Sequence, residues 1–311
     1  MDSGESASAL LARRPSAGKS KGGPHTRSNE APAGGLMQGK RGLIMGVAND
    51  HSIAWGIAKA LRAHGASLAF TYQGAALGKR VSPLAASLGA TILEPCDVED
   101  TASVDAVFAR LAEEWGGLDF VVHAIAFSDR NELKGRYADT TRDNFVRTMV
   151  ISCFSFTEIA RRAAALMGEG GALLTLTFDG SNRVMPNYNV MGIAKAALEA
   201  SVRYLAADFG PSGIRVNAIS AGPVRTLAGA GITDARLMFN YQKRHAPLRQ
   251  PVSIEQIGNA GLYLLSDLAS GVTGEIHYVD SGYNIISMPH PEALKTVDAA
   301  ETAAESGKPA D

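Results

Sequence analysis

A tyrosine and a lysine in one short stretch, Tyr188 and Lys195, are the side chains whose spacing best suits chemistry. In a helix of about 3.6 residues per turn, this separation makes two turns, so both side chains project from one face. A phenol can donate a hydrogen bond and a proton to a substrate oxygen, and a neighbouring ammonium lowers the pKa of that phenol and can hold a diol. The spacing predicts a general acid assisted by a cation, although an ordinary amphipathic helix carrying both residues fits the same pattern.

The composition is that of a globular chain without a strong charge bias. The 311 residues are 46% hydrophobic and include 33 glycines, with a net charge of −1. Because there is no basic surplus, neither nucleic acid nor a membrane surface is predicted as a partner. The chain is long enough for one large α/β domain or two small ones.

The cysteines and histidines indicate a reducing compartment and no metal site. Cys96 and Cys153 are far apart and outside any C-x-x-C pattern, which suits buried free thiols and a cytoplasmic protein. The seven histidines have no spacing typical of metal ligands.

Both ends of the chain differ in composition from the middle. Residues 1–38 are rich in Ser, Gly, Ala and Pro and have almost no large apolar side chains, so we predict a disordered extension there. Residues 291–311 are rich in Ala, Glu, Asp and Lys and are predicted to form a flexible tail. A single folded domain is expected over residues 39–290, and the choice between Met1 and Met37 as the start stays open.

Between these ends, short β-rich runs alternate with amphipathic stretches of helical length. The predicted strands are 42–45, 67–72, 91–94, 120–123, 172–178, 215–220 and 276–279. The predicted helices are 53–64, 78–87, 103–115, 141–167, 189–209 and 254–266. Alternation of this kind predicts an α/β protein with a Rossmann-type, doubly wound, parallel seven-stranded sheet.

In such sheets, ligands bind beyond the carboxyl ends of the strands, so the residues after each strand are candidates for a site. Gly46 and a polar loop precede a helix, an arrangement that can hold a pyrophosphate on backbone N–H groups, although it lacks G-x-G-x-x-G spacing and a plain turn fits nearly as well. Ser52 in that loop has an N-cap as its alternative role.

The residues after the second strand favour NADH over NADPH, and the residue after the third strand can contact adenine. Gln73 stands where an acid commonly holds the adenosine ribose, and the sequence has no Arg or Lys until Lys79 to meet a 2′-phosphate. Asp97 can accept a hydrogen bond from an adenine amino group or cap a turn. Later in the chain, Thr226 follows a Gly-Pro turn, and residues 228–246 form a Gly-punctuated insertion that is predicted to be a lid.

These features together resemble the enoyl-[acyl-carrier-protein] reductases of bacterial fatty-acid synthesis, a branch of the short-chain dehydrogenase/reductase superfamily. Three stretches carry the resemblance, namely residues 46–56, 185–195 and 220–228. The Tyr-x6-Lys spacing is similar to that of the enoyl reductases, whereas ordinary members of the superfamily have Tyr-x3-Lys and a distant Ser.

The resemblance implies a role for each matching residue. Tyr188 would stabilise the enolate of a thioester, Lys195 would hold the nicotinamide ribose, and Ser128 and Met191 would contact the substrate. The residues implied to bind NADH/NAD are Gly46, Ser52, Ile53, Gln73, Asp97, Val98, Ile125, Lys195, Val224, Arg225, Thr226, Leu227 and Ala228. The resemblance also implies an acyl carrier protein as partner and a homotetramer.

Two positions depart from the family pattern. Phe178 stands where the family usually has a second catalytic tyrosine, although one branch also has Phe there. Ser128 and Asp129 replace a common Ala-Pro pair, which leaves the preferred acyl chain length and the response to triclosan open.

The expected function is NADH-dependent reduction of the trans-2 double bond of an enoyl thioester bound to acyl carrier protein. Two alternatives stay open. The fold hosts carbonyl reductases equally well. A paralogue that binds NADH without catalysis would fit Phe178 but not the retained Tyr188 and Lys195.

Overall fold

A computed structural model of the chain describes residues 35–224, 226 and 235–288, with side chains described for all of these except 235–237. Seven parallel strands form one sheet in the order β3-β2-β1-β4-β5-β6-β7. They are β1 (Arg41–Met45), β2 (Ser67–Tyr72), β3 (Ile92–Pro95), β4 (Phe120–His123), β5 (Gly171–Thr177), β6 (Ile214–Ala221) and β7 (Ile276–Val279). The predicted Rossmann-type sheet is confirmed.

Helices cover both faces of the sheet. They are α1 (Ile53–Ala63), α2 (Gly74–Ser87), α3 (Thr101–Trp115), α4 (Arg142–Met149), α5 (Ser155–Leu166), α6 (Asn189–Phe209), α7 (Ala235–His245) and α8 (Ile254–Leu265). Within β1, Leu43 joins a core with residues of α3, α5 and α6, whereas the next residue, Ile44, joins a core with residues of α1, α2 and α8. Because side chains alternate along a strand, an apolar strand can fill both cores, which makes the sheet doubly wound.

The predicted helix 141–167 is interrupted by a π-helical turn at Val150–Phe154, between α4 and α5. The hydroxyl of Ser155 donates to the carbonyl oxygen of Ile151 at 2.7 Å, and the His123 ring nitrogen Nε2 lies 2.9 Å from the same hydroxyl. Side chains that bond inside a helical ladder favour such irregular turns, which often occur at functional sites. The turn directs Ser152 toward the loop after β4.

Two further boundaries differ from the predictions. Part of the predicted lid is helix α7, whose residues we had not assigned to a helix. Met37, which we placed in the N-terminal extension, is 1% exposed, and its backbone N–H donates to the carbonyl oxygen of His64 at 2.9 Å. A buried apolar side chain with a backbone hydrogen bond belongs to the folded core. Residues 1–34, 225, 227–234 and 289–311, including the predicted C-terminal tail, lie outside the described residues.

Over residues 35–224 and 235–288, no helix combines the length and apolar character that crossing a bilayer requires.

Candidate active site

The start of α6 positions the two predicted catalytic side chains. Tyr188 occupies the N-cap position rather than lying inside the helix, and it follows Asn187, whose φ is 58°. Lys195 lies two turns further along, where its ammonium Nζ donates to the carbonyl oxygen of Leu176 at 2.8 Å. Both side chains are buried, with 8% of Tyr188 and 6% of Lys195 exposed. The predicted pairing on one face of the helix start is therefore present in the structure.

Burial governs the protonation of both groups. It lowers the pKa of the Lys195 ammonium from 10.5 to about 8, while Cys153 and then the carboxylate of Glu199 act in the opposite direction. It also raises the pKa of the Tyr188 phenol, and Glu199 adds to that rise. The expectation that a neighbouring ammonium leaves this phenol with a lowered pKa is wrong for the protein without ligand, because loss of hydration on burial raises the pKa of Tyr188.

Tyr188 and Lys195 line one cavity of about 770 Å³ at the carboxyl edge of the sheet. The cavity also brings together other residues that the sequence singled out: Ile53, Ile125, Ser128, Phe178, Met191, Val224 and Thr226. The rings of Phe178 and Tyr188 pack edge to face with centroids 5.2 Å apart. Phe178 therefore occupies the predicted place beside Tyr188 and supplies an apolar surface there instead of a second hydroxyl.

Sequence reasoning missed much of the apolar wall. Phe127 and Leu133 line the cavity from the segment after β4, and Met238 and Phe239 line it from α7. The signal for the second pair was the spacing of the apolar residues 237, 238 and 241 within a polar stretch, which suits one face of an amphipathic helix. The glycines before that stretch led us to predict a lid without assigning a helix to it.

Ser128 lies in the cavity wall, but its hydroxyl is bonded within the protein. It donates to Asn144 Oδ1 at 3.3 Å and accepts from the Thr148 hydroxyl at 3.0 Å. The Ser152 hydroxyl fixes the neighbouring backbone, because it bonds both the N–H and the carbonyl of Phe127, each at 2.9 Å. The loop after β4 is therefore tied to α4 and the π-helical turn before any ligand arrives.

The loop after β1 packs closely against the residue after β4 and leads into the N-terminus of α1, a place that suits a phosphate. Gly46 has φ 95°, and a Cβ atom there would lie 2.0 Å from the carbonyl oxygen of Ala124, so a larger residue would clash and be strained. Ser52 is the N-cap residue of α1, yet its hydroxyl makes no cap bond. It accepts instead from the backbone N–H groups of Ala48 (3.0 Å) and Asn49 (3.1 Å), which orders the loop at the helix N-terminus.

The ends of β2 and β3 bring two predicted residues together. Gln73 Nε2 donates to Asp97 Oδ2 at 3.0 Å, and the pair is exposed. Val98 is buried, with 8% of its surface exposed, and packs in the core beneath them. An amide and a carboxylate at this edge present hydrogen-bonding groups suited to ribose and adenine. Arg225, Leu227 and Ala228 lie outside the described residues.

The described site therefore combines three chemical capacities. The Gly46 loop after β1 (the glycine turn) and the Gln73–Asp97 pair suit a dinucleotide. The buried Tyr188 phenol is a proton donor, and the buried Lys195 ammonium is a cation on the same helix face. The apolar cavity suits an uncharged chain, which the cavity walls would shield from water.

Comparisons with known proteins agree with this geometry. Residues 46–284 match the family model described as enoyl-(acyl carrier protein) reductase. The chain is 75% identical over 265 residues to an enoyl-[acyl-carrier-protein] reductase [NADH] 2 of Rhizobium meliloti, covering 85% of this chain and 99% of that protein. The FabI structure from Candidatus Liberibacter asiaticus is 62% identical, with a TM-score of 0.81 over 82% of this chain and 99% of that one.

A second solved structure carries a cofactor. The enoyl-(acyl-carrier-protein) reductase of Anaplasma phagocytophilum, determined in complex with NAD, is 58% identical with a TM-score of 0.80. The match covers 83% of this chain and 98% of the Anaplasma phagocytophilum chain. The chain matches these relatives along nearly their whole length, and the glycine turn, the Tyr188–Lys195 pair and the apolar cavity all lie within the matched region. The chain therefore belongs to the enoyl-(acyl-carrier-protein) reductase family.

Proposed function

We propose that this chain reduces the trans-2 double bond of enoyl thioesters carried by acyl carrier protein, with NADH as the donor. The observation that carries the proposal is the pairing of buried Tyr188 and Lys195 at one apolar cavity of about 770 Å³. NADH, when bound, would supply a hydride to substrate C3, and a proton taken up from solvent at C2 would complete the acyl thioester.

The protein residues orient the reactants and stabilise the charge that develops on the thioester oxygen. Tyr188 donates a hydrogen bond to that oxygen, and its raised pKa keeps the hydroxyl protonated throughout the neutral range. Lys195 donates to the hydroxyls of the nicotinamide ribose and places a positive charge near the reacting oxygen. Met191 and Ser128, which line the cavity, are proposed to contact the acyl thioester.

The cofactor residues divide between the two ends of the dinucleotide. Gly46 and Ser52 hold the pyrophosphate loop, and Gln73, Asp97 and Val98 form the adenosine end. The residues proposed for the nicotinamide end are Ile53, Ile125, Lys195, Val224, Arg225, Thr226, Leu227 and Ala228.

The protein is further proposed to work as a homotetramer in the cytoplasm. Large apolar side chains near the sheet's α4–α5 side suit burial between copies: Val146 on α4 and Phe154 in the π-helical turn are each 53% exposed. Cys96 and Cys153 are buried free thiols, as expected in a reducing compartment. Light scattering on the eluting protein should give the mass of four chains, and a monomer mass would contradict the assembly.

Paired substrates test the reaction itself. NADH consumption should be rapid with crotonyl thioester and slow with acetoacetyl thioester. The reverse preference would identify a carbonyl reductase of the same superfamily. Binding of NADH without consumption on either thioester would identify a silent relative.

Cofactor choice gives a first prediction. We expect kcat/KM to be at least about tenfold higher with NADH than with NADPH, because the Asp97 carboxylate beside Gln73 repels a 2′-phosphate. Replacing Asp97 with Asn should narrow that ratio, since the amide keeps a similar shape without the charge. Equal use of both cofactors by the unmodified protein would contradict the proposed adenosine end.

Phe178 gives a second prediction. Restoring a hydroxyl as Phe178→Tyr should change kcat/KM on crotonyl thioester by no more than roughly tenfold, about the net worth of one hydrogen bond. The two rings have nearly the same volume, and the wild-type ring already packs against Tyr188. A wild type without measurable turnover, together with rapid turnover by Phe178→Tyr, would favour the alternative of a relative that binds NADH without catalysis.

A further inference from the structure

One stripe of α6 faces a single segment of chain that follows β5. Tyr188, Gly192, Lys195 and Glu199 are spaced at intervals of four, three and four residues, so they share a face of the helix. Each contacts residues 176–181. The ring of Tyr188 packs against Phe178, and a Cβ on Gly192 would lie 2.7 Å from the carbonyl oxygen of Gly180. The stripe therefore aligns the two proposed active groups with a glycine and a carboxylate.

Glu199 makes the firmest contacts of the stripe. It is 5% exposed, and its Oε1 atom accepts from the Thr177 hydroxyl at 2.6 Å and from the Ser181 hydroxyl at 2.5 Å. The two donors flank the residues that pack on Tyr188. A buried carboxylate is costly unless it is hydrogen-bonded and faces positive charge. The roles proposed above do not use Glu199.

We propose that Glu199 is a positioning residue, which holds residues 177–181 against α6 and keeps the Lys195 ammonium protonated. The inference rests on the proposed function, because it acts through Tyr188 and Lys195. The hydrogen bonds to Thr177 and Ser181 fix the surface on which the Tyr188 ring lies. The negative charge, one turn along the same helix face, offsets part of the cost of burying the ammonium.

The other titratable groups near Lys195 carry no charge in the neutral range. Burial raises the pKa of the Cys153 thiol in the π-helical turn. Burial and the Lys195 charge lower the pKa of His123 at the end of β4 to about 3. Tyr188 stays protonated because its pKa is raised. Among these neighbours, Glu199 is the one that can supply a counter-charge.

The groups around Glu199 itself are also accounted for. Asp179 lies in the same segment after β5, and burial raises its pKa, while its carboxylate is 3.8 Å from the guanidinium of Arg183. Tyr278 of β7 has a raised pKa, first through burial and then through Glu199. Neither group is a cation, whereas Lys195, one turn away on the same face of α6, is a cation whose pKa Glu199 raises.

The charge role is tested with NADH affinity as a function of pH, measured by calorimetry, which needs no turnover. In the wild type, affinity should fall as pH rises through about 8, where the ammonium loses its proton. Glu199→Gln keeps the shape and an acceptor oxygen but removes the charge, so the fall should begin about one pH unit lower. Glu113→Gln, which removes an exposed carboxylate on α3, is the matched control and should leave the curve unchanged.

The positioning role is tested with Ser181→Ala, which removes one donor and keeps the charge. We expect kcat on crotonyl thioester to fall about tenfold, because loss of geometry slows a reaction without removing its groups, while the pH curve for NADH stays in place. If Glu199→Gln does not fold, Ser181→Ala still tests the positioning role, and the wild-type pH curve for NADH tests whether the Lys195 charge supports binding.

The outcomes distinguish a failure of the proposed enoyl reduction from a failure of the proposed role of Glu199. A wild type that binds NADH but reduces no enoyl thioester overturns the proposed function, while the pH curves still decide the charge role of Glu199. A Glu199→Gln curve that superimposes on the wild type overturns the charge role, and an unchanged kcat in Ser181→Ala overturns the positioning role.

Discussion

Tyr188→Phe should lower kcat on crotonyl thioester by on the order of 10²-fold or more. The substitution removes one hydroxyl and keeps the ring, so the edge-to-face contact with Phe178 and the packing with Met191 should persist. The lost hydrogen bond matters most when charge develops on the thioester oxygen, and Phe178 offers no second hydroxyl to replace it. NADH affinity should change little.

The same helix provides a matched control. Tyr204→Phe removes a hydroxyl from an α6 tyrosine that is 76% exposed and does not line the cavity, so its kcat should equal that of the wild type. Steady-state kcat values of the wild type, Tyr188→Phe and Tyr204→Phe, measured at saturating NADH, test this prediction. Retention of near wild-type kcat in Tyr188→Phe would remove Tyr188 from the proposed mechanism.

The fold could be predicted because its strands are short apolar runs bounded by turn residues. In β1, consecutive Leu43, Ile44 and Met45 fill the cores on both faces of the sheet, which is the pattern of a buried parallel strand. Ligand residues then follow from topology, since the carboxyl ends of parallel strands meet at one edge. That is why Ile53, Ile125 and Val224, which follow three different strands and are remote in sequence, line one cavity.

The parts that could not be predicted depend on tertiary contacts. The π-helical turn arises where Ser155 bonds both the backbone of Ile151 and the ring of His123, a partner 32 residues earlier in the chain. The rise in the pKa of Tyr188 depends on how completely the hydroxyl is dehydrated, and spacing within a helix carries no information about that. The helical spacing in the sequence indicated the Tyr188–Lys195 pair, but it did not indicate that Glu199 bonds Thr177 and Ser181 beside that pair.

Lys195→Ala should lower turnover by on the order of 10²-fold or more and also weaken NADH binding. Removing the side chain takes away the proposed donor to the ribose hydroxyls together with the positive charge. The loss should therefore appear in NADH affinity as well as in kcat, which separates Lys195 from Tyr188. Calorimetric titration with NADH beside steady-state rates measures both. Unchanged affinity in Lys195→Ala would contradict its proposed contact with the cofactor.

In the wild-type protein, the dependence of NADH binding on the Lys195 charge should also appear in the pH profile. In the protein without ligand, burial lowers the pKa of the Lys195 ammonium from 10.5 to about 8, so the charge is present below that value and is lost above it. Since kcat/KM reports the ionisation of the free protein, kcat/KM for NADH should be level near neutrality and fall as pH rises through about 8. Lys195→Ala has no ammonium to lose, so its residual kcat/KM should show no fall centred there. A wild-type profile that stays level well beyond that pH would mean that the charge of Lys195 does not support NADH binding.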